Sequence, residues 1–212
     1  MEKLLTGLAN FQQTAFQENK ELFQELANKQ EPETLFITCS DSRIDPNLIT
    51  QTSPGELFIC RNAGNIVPPH SLNTGGITAS IEFGVMVLGV KHIVICGHTD
   101  CGAMKGAMHP ENLTSLPHVS NWLAHATAAK ARVEAKCGEI NDGHLPELTQ
   151  ENVVMQIKHL ETHPSVASKL ATNDLMIHGW VYDIPNGEVS CYDRDQDKFV
   201  SIKEYHQRLY GS

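Results

Sequence analysis

The fold is decided by residues 92–102, which read HIVICGHTDCG. The stretch begins with a short β-branched run that is typical of a buried strand, and this strand is expected to break at Gly97. His98 and Cys101 follow, and Gly102 opens a predicted helix. An imidazole and a thiolate, both good zinc ligands, therefore lie where a strand is followed by a helix.

A second segment, residues 34–43 (TLFITCSDSR), is built in the same way. Its apolar strand ends at Cys39, and Asp41 and Arg43 come directly afterwards. If the two strands are parallel neighbours, their carboxyl ends lie side by side, at the edge where ligands bind in open α/β sheets. Cys39 and the two ligands of the first segment are then predicted to converge on one metal ion.

The number of protein ligands bears on what the metal does. Structural zinc sites are closed by four protein groups, whereas catalytic sites use three and leave one position for water. The fourth ligand is predicted to be either water or Asp41. A structural zinc protein or binding module would need a fourth fixed ligand. A thiol redox protein would more often show Cys-x-x-Cys, and here the spaced pair is His98-x-x-Cys101.

Three motifs occur in this order along the chain: CSDSR at 39–43, RNAGN at 61–65 and GHTDCG at 97–102. Together they resemble the β-class carbonic anhydrases, and further matches at Gln30 and Phe58 favour the plant-like, cyanobacterial-like subgroup. The similarity runs from about Gln30 to Lys105 with almost no gap and continues more weakly to residues 178–180. It implies a Zn²⁺ enzyme that reversibly hydrates carbon dioxide to bicarbonate and a proton, by attack of a zinc-bound hydroxide.

The same resemblance implies that Asp41 and Arg43 form a catalytic pair beside the three metal ligands. A bidentate guanidinium can hold the carboxylate off the zinc. In some members of the family the equivalent aspartate becomes the fourth ligand in an inactive state. From the residues alone, the pair could also be a surface ion pair.

A substrate pocket is also implied by the resemblance. Gln30 would hydrogen-bond bicarbonate, Phe58 and Phe83 would wall the pocket, Ala63 would leave it open and the Gly102 amide would face the ligand. Phe83 departs from part of the family, in which a tyrosine is found. Ordinary core packing is the alternative for both phenylalanines. A relative that acts on carbon disulfide or a related heterocumulene would keep the zinc chemistry and change only this pocket.

Strands and helices alternate along the chain. This pattern predicts an α/β fold with a mainly parallel sheet of about four strands plus one antiparallel edge strand, flanked by helices. At 212 residues the chain suits a single domain, residues 1–212. An apolar stripe through residues 2–28, broken near Asn19, predicts a long N-terminal helical arm. A helix over residues 77–88 is apolar nearly all round and is expected to be buried.

Charge and hydropathy limit the class of partner. With 16 basic and 25 acidic residues, the formal charge of −9 argues against a nucleic-acid-binding protein. No stretch approaches 18 uncharged apolar residues, and the first residues show neither a basic region nor a sustained apolar run. A cytoplasmic enzyme with a small substrate and no membrane contact is therefore expected. The arm and the helix over residues 77–88 predict a homodimer or homotetramer with its active sites at the interface, as the resemblance also implies.

Residues outside the motifs give weaker signals. Cys60 and Cys96 lie in apolar strands and are predicted to be packed core thiols. Residues 137–148 are rich in Gly, Asn, Asp and Pro and predict a surface loop. One of the remaining histidines could shuttle protons, but most are expected to be solvated: His70, His109, His118, His125, His144, His159 and His163.

Overall fold

In the computed structural model, which describes residues 1–211, the chain divides into two units, Met1–Glu31 and the remainder from Pro32 onward. The first unit contains three helices: α1 Glu2–Gln13, α2 Ala15–Glu18 and α3 Lys20–Leu26. The predicted break near Asn19 is present, and a second break at Thr14 was not predicted. Three rings pack together with centroids 5.5 to 6.1 Å apart, those of Phe11, Phe16 and Phe23. The assignment of the whole chain to one domain stays a prediction.

The second unit is organised around one six-stranded sheet. Its strands are β1 Thr34–Cys39, β2 Leu57–Asn62, β3 His92–His98, β4 Met176–Asp183, β5 Glu188–Asp193 and β6 Lys198–Ser201. They lie in the order β2-β1-β3-β4-β5-β6. The first four in this order are parallel, and β5 and β6 extend the sheet as antiparallel strands. The predicted mainly parallel α/β fold is confirmed, and β6 is a further edge strand that the sequence did not suggest.

Helices flank this sheet, and the helix Gly76–Glu82 continues into a π turn, Phe83–Val87. Their bounds are α4 Pro46–Thr50, α5 Gly76–Glu82, α6 Gly102–Met108, α7 Pro117–Leu123, α8 Thr127–Cys137, α9 Leu145–Glu161, α10 Pro164–Ala171 and α11 Ile202–Tyr210. Within residues 1–211, no helix is both long and apolar enough to cross a membrane.

Two predicted boundaries are wrong. Strand β3 does not break at Gly97, because its parallel pairing with β4 continues through Gly97 and His98, opposite Val181 and Tyr182. The predicted loop over residues 137–148 ends early, since α9 begins at Leu145. A proline in the first turn of that helix loses no hydrogen bond that the helix would otherwise make.

Helix α9 packs directly on β3 and β4. Its apolar side contributes Val153, Ile157 and Leu160 to the main core. Gly179 of β4 makes this close approach possible, because a Cβ atom there would lie 2.8 Å from Ile157 Cδ1 and 2.9 Å from Val153 Cγ1. Any larger residue would push the helix away from the sheet.

The segment formed by α5 and the π turn is buried on one side only. Ile81 and Val85 have no more than 1% of their surface exposed, and both belong to the main core. Phe83, Met86 and Val87 are exposed by 42%, 56% and 67%. Full burial of residues 77–88 is therefore wrong for the single chain, because only one side of the segment faces the sheet.

Candidate metal centre

The three predicted ligands meet at the carboxyl edge of the sheet. Strands β1 and β3 pair in parallel, with Thr38 opposite Cys96, so Cys39 and His98 end their strands side by side. Cys101 precedes α6 as its N-cap residue. All three side chains are buried, and their ligand atoms lie within 4.8 Å of one another.

The geometry and chemistry of this cluster fit zinc. The sulfurs of Cys39 and Cys101 are 4.0 Å apart, close to the roughly 3.8 Å expected for two sulfurs on one tetrahedral zinc. His98 Nδ1 lies 2.9 Å from the carbonyl oxygen of Thr99. Because a carbonyl only accepts, Nδ1 carries the hydrogen and Nε2 presents a lone pair. Within residues 1–211, that Nε2 atom is buried without a hydrogen-bond partner, as expected for an atom that binds a metal ion.

Local hydrogen bonds favour a thiolate at Cys39. The contact with Cys101 lowers the pKa of Cys39 to about 4, while the same contact and burial raise the pKa of Cys101. The Gly64 N–H donates to Cys39 Sγ at 3.4 Å. The amides of Met104 and Ala103 oppose part of the rise in the pKa of Cys101, because they favour its ionised form. A cation bound between the sulfurs would favour the thiolate form of both.

Asp41 is held beside the cluster by a two-point ion pair. Arg43 Nε donates to Asp41 Oδ1 at 2.9 Å, and Arg43 Nη2 donates to Asp41 Oδ2 at 2.7 Å. These hydrogen bonds keep the pKa of Asp41 well below its usual range, despite the opposing effect of burial. Asp41 Oδ2 lies 3.8 Å from His98 Nε2. The carboxylate therefore stays ionised and borders the position that a metal ion would take.

Asp100 in turn fixes Arg43, a contact that the sequence did not suggest. Arg43 Nη1 donates to Asp100 Oδ2 and Nη2 to the Asp100 carbonyl oxygen, both at 3.1 Å. Lys105 forms a further ion pair with the Asp100 carboxylate. Asp100 adopts a left-handed conformation with φ of 56°, which aspartate tolerates better than most residues. The sequence does place Asp100 between the predicted ligands His98 and Cys101, and this position was the one indication that it lies near the metal centre.

The second motif, residues 61–65, shapes a 3-10 turn next to Cys39. Arg61 donates to the carbonyl oxygens of Cys39 and Asp41, at 3.1 and 2.7 Å. Asn62 closes the turn by accepting from the Ile66 N–H and donating to the Ile66 carbonyl. Gly64 has φ of 79°, and a Cβ atom there would lie 3.0 Å from the Met104 Cε atom. The sequence analysis used this motif to identify the family and predicted none of these hydrogen bonds. A Gly-Asn pair after a strand does indicate such a turn.

The five predicted substrate residues lie in different elements. Phe58 on β2 and Phe83 at the start of the π turn have ring centroids 6.0 Å apart. Ala63 is exposed in the 3-10 turn, and Gly102 is the exposed first residue of α6. Gln30 is exposed and belongs to the N-terminal unit. Their roles in binding stay predictions.

Two of the remaining histidines are hydrogen-bonded to the main chain. His159 Nδ1 lies 2.9 Å from the Val67 carbonyl oxygen, and His163 Nε2 lies 2.9 Å from the Pro68 carbonyl oxygen. His163 is only 4% exposed. This pair forms an exception to the expected solvation of most of the remaining histidines, because both lie on the side of α9 and its C-terminal end that faces residues 64–68.

Comparison with known proteins gives one consistent family. The family model described as carbonic anhydrase matches residues 34–189. A carbonic anhydrase from Pseudomonas aeruginosa is 46% identical over 205 residues, which cover 97% of this chain and 93% of the relative. One from Synechococcus elongatus is 44% identical over 214 residues, which cover 100% of this chain and 79% of the relative.

Solved structures agree at the level of the fold. The β-carbonic anhydrase CcaA superposes with a TM-score of 0.92 at 41% identity, covering 95% of this chain and 91% of CcaA. One of the tetrameric β-carbonic anhydrases from Sordaria macrospora superposes with a TM-score of 0.80 at 33% identity, covering 90% of this chain and 95% of the other. Since sequence and fold lead to the same assignment along nearly the whole chain, this protein belongs to the β-class carbonic anhydrases, zinc enzymes that interconvert carbon dioxide and bicarbonate.

Proposed function

We propose that Cys39, His98 and Cys101 hold the zinc ion of this carbonic anhydrase, and that Asp41 and Arg43 form its catalytic pair. One observation carries the assignment. His98 Nε2 is buried, has no hydrogen-bond partner in the described part of the chain, and lies within 4.8 Å of the sulfurs of Cys39 and Cys101. Leaving such an atom unpaired costs free energy unless a ligand satisfies it.

The zinc position is proposed to keep one site open for water. Both carboxylate oxygens of Asp41 accept hydrogen bonds from Arg43, so the carboxylate is restrained from becoming a fourth ligand. Zinc in this position would supply a Lewis acid that lowers the pKa of a bound water towards about 7. Asp41 remains ionised near neutral pH, so it accepts a hydrogen bond and orients the attacking water. Arg43 keeps the carboxylate in that orientation.

The substrate is proposed to bind beside Asp41. Carbon dioxide is small and apolar, and the paired rings of Phe58 and Phe83 offer an apolar wall. Bicarbonate is an anion with several acceptor oxygens, and Gln30 and the Gly102 amide supply donors of the kind it needs. Ala63 has a small side chain that would leave room in such a pocket.

The ligand assignment is tested by zinc content and carbon dioxide hydration in matched cysteine variants. The unchanged protein should carry about one zinc per chain. Cys101→Ala should lose most of the metal and all measurable hydration, because two ligands hold zinc poorly. Cys137→Ala changes an exposed cysteine and should keep both properties. Full zinc content in Cys101→Ala would refute the assignment.

We further propose that the working unit is a homodimer or homotetramer with active sites at the interface. The π turn carries three exposed apolar side chains, those of Phe83, Met86 and Val87. In the N-terminal unit, α1 has no buried residue, and Leu4, Leu5 and Leu8 are exposed. Apolar surface of this kind is typical of subunit contacts. The Sordaria macrospora relatives are described as tetrameric.

A cytoplasmic location is proposed from the cysteines. All six are free thiols, and the two proposed ligands bind metal only when reduced. Unpaired cysteines persist in the reducing cytosol, whereas oxidising compartments promote disulfides. Fractionation of cells that express the protein, followed by a carbonic anhydrase assay of each fraction, tests this proposal.

A further inference from the structure

One side of α9 and its C-terminal end carry polar side chains into the interior. Asn152 and Gln156 are fully buried, and His163 is nearly so. With His159, these residues follow the spacing of one helix face. Burying an amide or an imidazole costs free energy unless it is hydrogen-bonded, so an apolar residue would normally be preferred there.

Each of these four side chains bonds to the main chain of residues 64–68. Asn152 Nδ2 donates to the Gly64 carbonyl oxygen at 3.0 Å. Gln156 Oε1 accepts from the Val67 N–H at 2.9 Å. His159 bonds to the Val67 carbonyl oxygen and His163 to the Pro68 carbonyl oxygen. We call this set, Asn152, Gln156, His159 and His163, the α9 polar ladder.

The ladder also fixes the orientation of its first member. Gln156 Nε2 donates to Asn152 Oδ1 at 2.9 Å. Because Oδ1 is thereby the acceptor, the Asn152 Nδ2 group must face the Gly64 carbonyl. Gly64 is then held on both sides, by Asn152 at its carbonyl and by Cys39 Sγ at its N–H.

We propose that Asn152 is a positioning residue for the metal centre, acting through Gly64 to keep a main-chain hydrogen bond on the Cys39 thiolate. The inference rests on the proposed role of Cys39 as a zinc ligand. Gly64 adopts a left-handed φ of 79°. Because glycine has no side chain, sterics restrict its torsion angles less than those of other residues. Asn152 supplies the restraint from the helix that packs on β3 and β4. Partners outside the ligand shell tune a metal by orienting its ligands and adjusting their basicity.

A purely structural role would have a different signature. If Asn152 only stabilised the fold, its replacement would lower the melting temperature and leave the bound metal unchanged. If it positions the Gly64 N–H, its loss would leave the thiolate richer in electron density, because an N–H donor withdraws density from sulfur. Thiolate-to-metal charge transfer would then need less energy.

The test uses the full chain loaded with cobalt(II), whose charge-transfer absorption reports on thiolate ligands, and zinc competition against a chelator. Asn152→Asp keeps the shape and removes the donor, and Asn152→Ala removes the amide altogether. Both variants should shift the charge-transfer band to longer wavelength. Both should also weaken zinc binding about tenfold, which is the smallest loss of metal affinity typical when a residue that orients a metal ligand is replaced. Leu160→Ala, a core change on the same helix, should lower the melting temperature and leave both readouts unchanged.

Two outcomes overturn the inference, and they are distinguishable. A normal band in the unchanged protein, with the same band and zinc affinity in both Asn152 variants, would show that Asn152 does not act on the metal centre. A wild-type protein with no thiolate-to-cobalt band would instead refute Cys39 and Cys101 as ligands. In that case the proposed metal centre fails together with this inference.

Discussion

At the residue scale, the proposed chemistry depends on which way one carboxylate points. Arg43 donates hydrogen bonds to both carboxylate oxygens of Asp41. It also donates to the carboxylate and the carbonyl oxygen of Asp100. The planar guanidinium can satisfy both partners because it presents five donors in a rigid fork. A lysine would bring the same charge without that geometry.

Replacing Arg43 should therefore separate metal binding from turnover. Arg43→Ala should keep its zinc but lose roughly 100-fold or more in kcat/KM, because the freed carboxylate can close the fourth position. Arg43→Lys should also lose most activity, since it cannot hold both oxygens. Asp100→Asn keeps an acceptor and tolerates the left-handed backbone, so it should lose far less. Carbon dioxide hydration measured by stopped flow, with zinc content measured in parallel, checks all three; near-normal turnover in Arg43→Ala would mean that the pair is only a salt bridge.

At the scale of elements, α9 contacts the sheet, the turn at residues 63–65 and the neighbouring helix α8. Glu151 forms the ion pairs between α9 and α8. Its carboxylate pairs with Arg132 at 2.7 Å and with Lys136, both on α8. Burial raises the pKa of Glu151, but the two cations lower it by more, so its pKa lies below the usual range. The ionised form therefore stabilises the folded state.

Glu151→Gln should lower the free energy of unfolding by roughly 1–2 kcal/mol at neutral pH, between the values for exposed and buried pairs. Because the folded pKa is depressed, this contribution is fully present above about pH 5 and is lost as pH falls through the folded pKa. Urea unfolding at several pH values should show wild type and variant converging in acid. Glu147→Gln, an exposed change on the same helix, should stay within about 0.5 kcal/mol of wild type. A wild-type advantage that persists undiminished at low pH would contradict the ion-pair account.

At the scale of the whole molecule, the single chain leaves apolar surface uncovered at the π turn and along α1. A two-fold axis near the π turn would bury Phe83, Met86 and Val87 against their equivalents. Phe83 packs against Phe58 on β2, so such an interface would also bring the partner close to the proposed substrate pocket.

Met86→Glu should therefore reduce the size of the assembly, because a charge at the centre of an apolar interface loses its hydration without gaining a partner. Removal of residues 1–28 should expose apolar surface and lower activity, although no proposed ligand is removed. Leu72→Glu is the matched control, since Leu72 is 99% exposed in a loop. Light scattering at the assay concentration gives the mass in each case. A fully active wild-type monomer would contradict the proposed interface.

Local pattern was sufficient for much of this protein. The apolar runs before Cys39 and His98 predicted two strands, because short β-branched runs bounded by turn residues are typical of buried strands. Ligand chemistry then indicated zinc, since an imidazole and two thiolates at one sheet edge suit that ion. The three motifs also identified the family. These features depend on residues that are close in sequence or related by the regular geometry of a sheet.

Only the tertiary structure decided how that centre is held. Asp100 reaches Arg43 across 57 positions, and Asn152 reaches Gly64 across 88. Neither contact follows from periodicity, because it depends on how close α9 and the loop before α6 come to the sheet. The same holds for His159 and His163, whose rings look solvated in sequence and are hydrogen-bonded within the fold. The sequence alone determined which chemical groups are present and which strands carry them, whereas packing of distant elements determined their partners, because a hydrogen bond requires its two atoms to lie within a few tenths of an ångström of one distance.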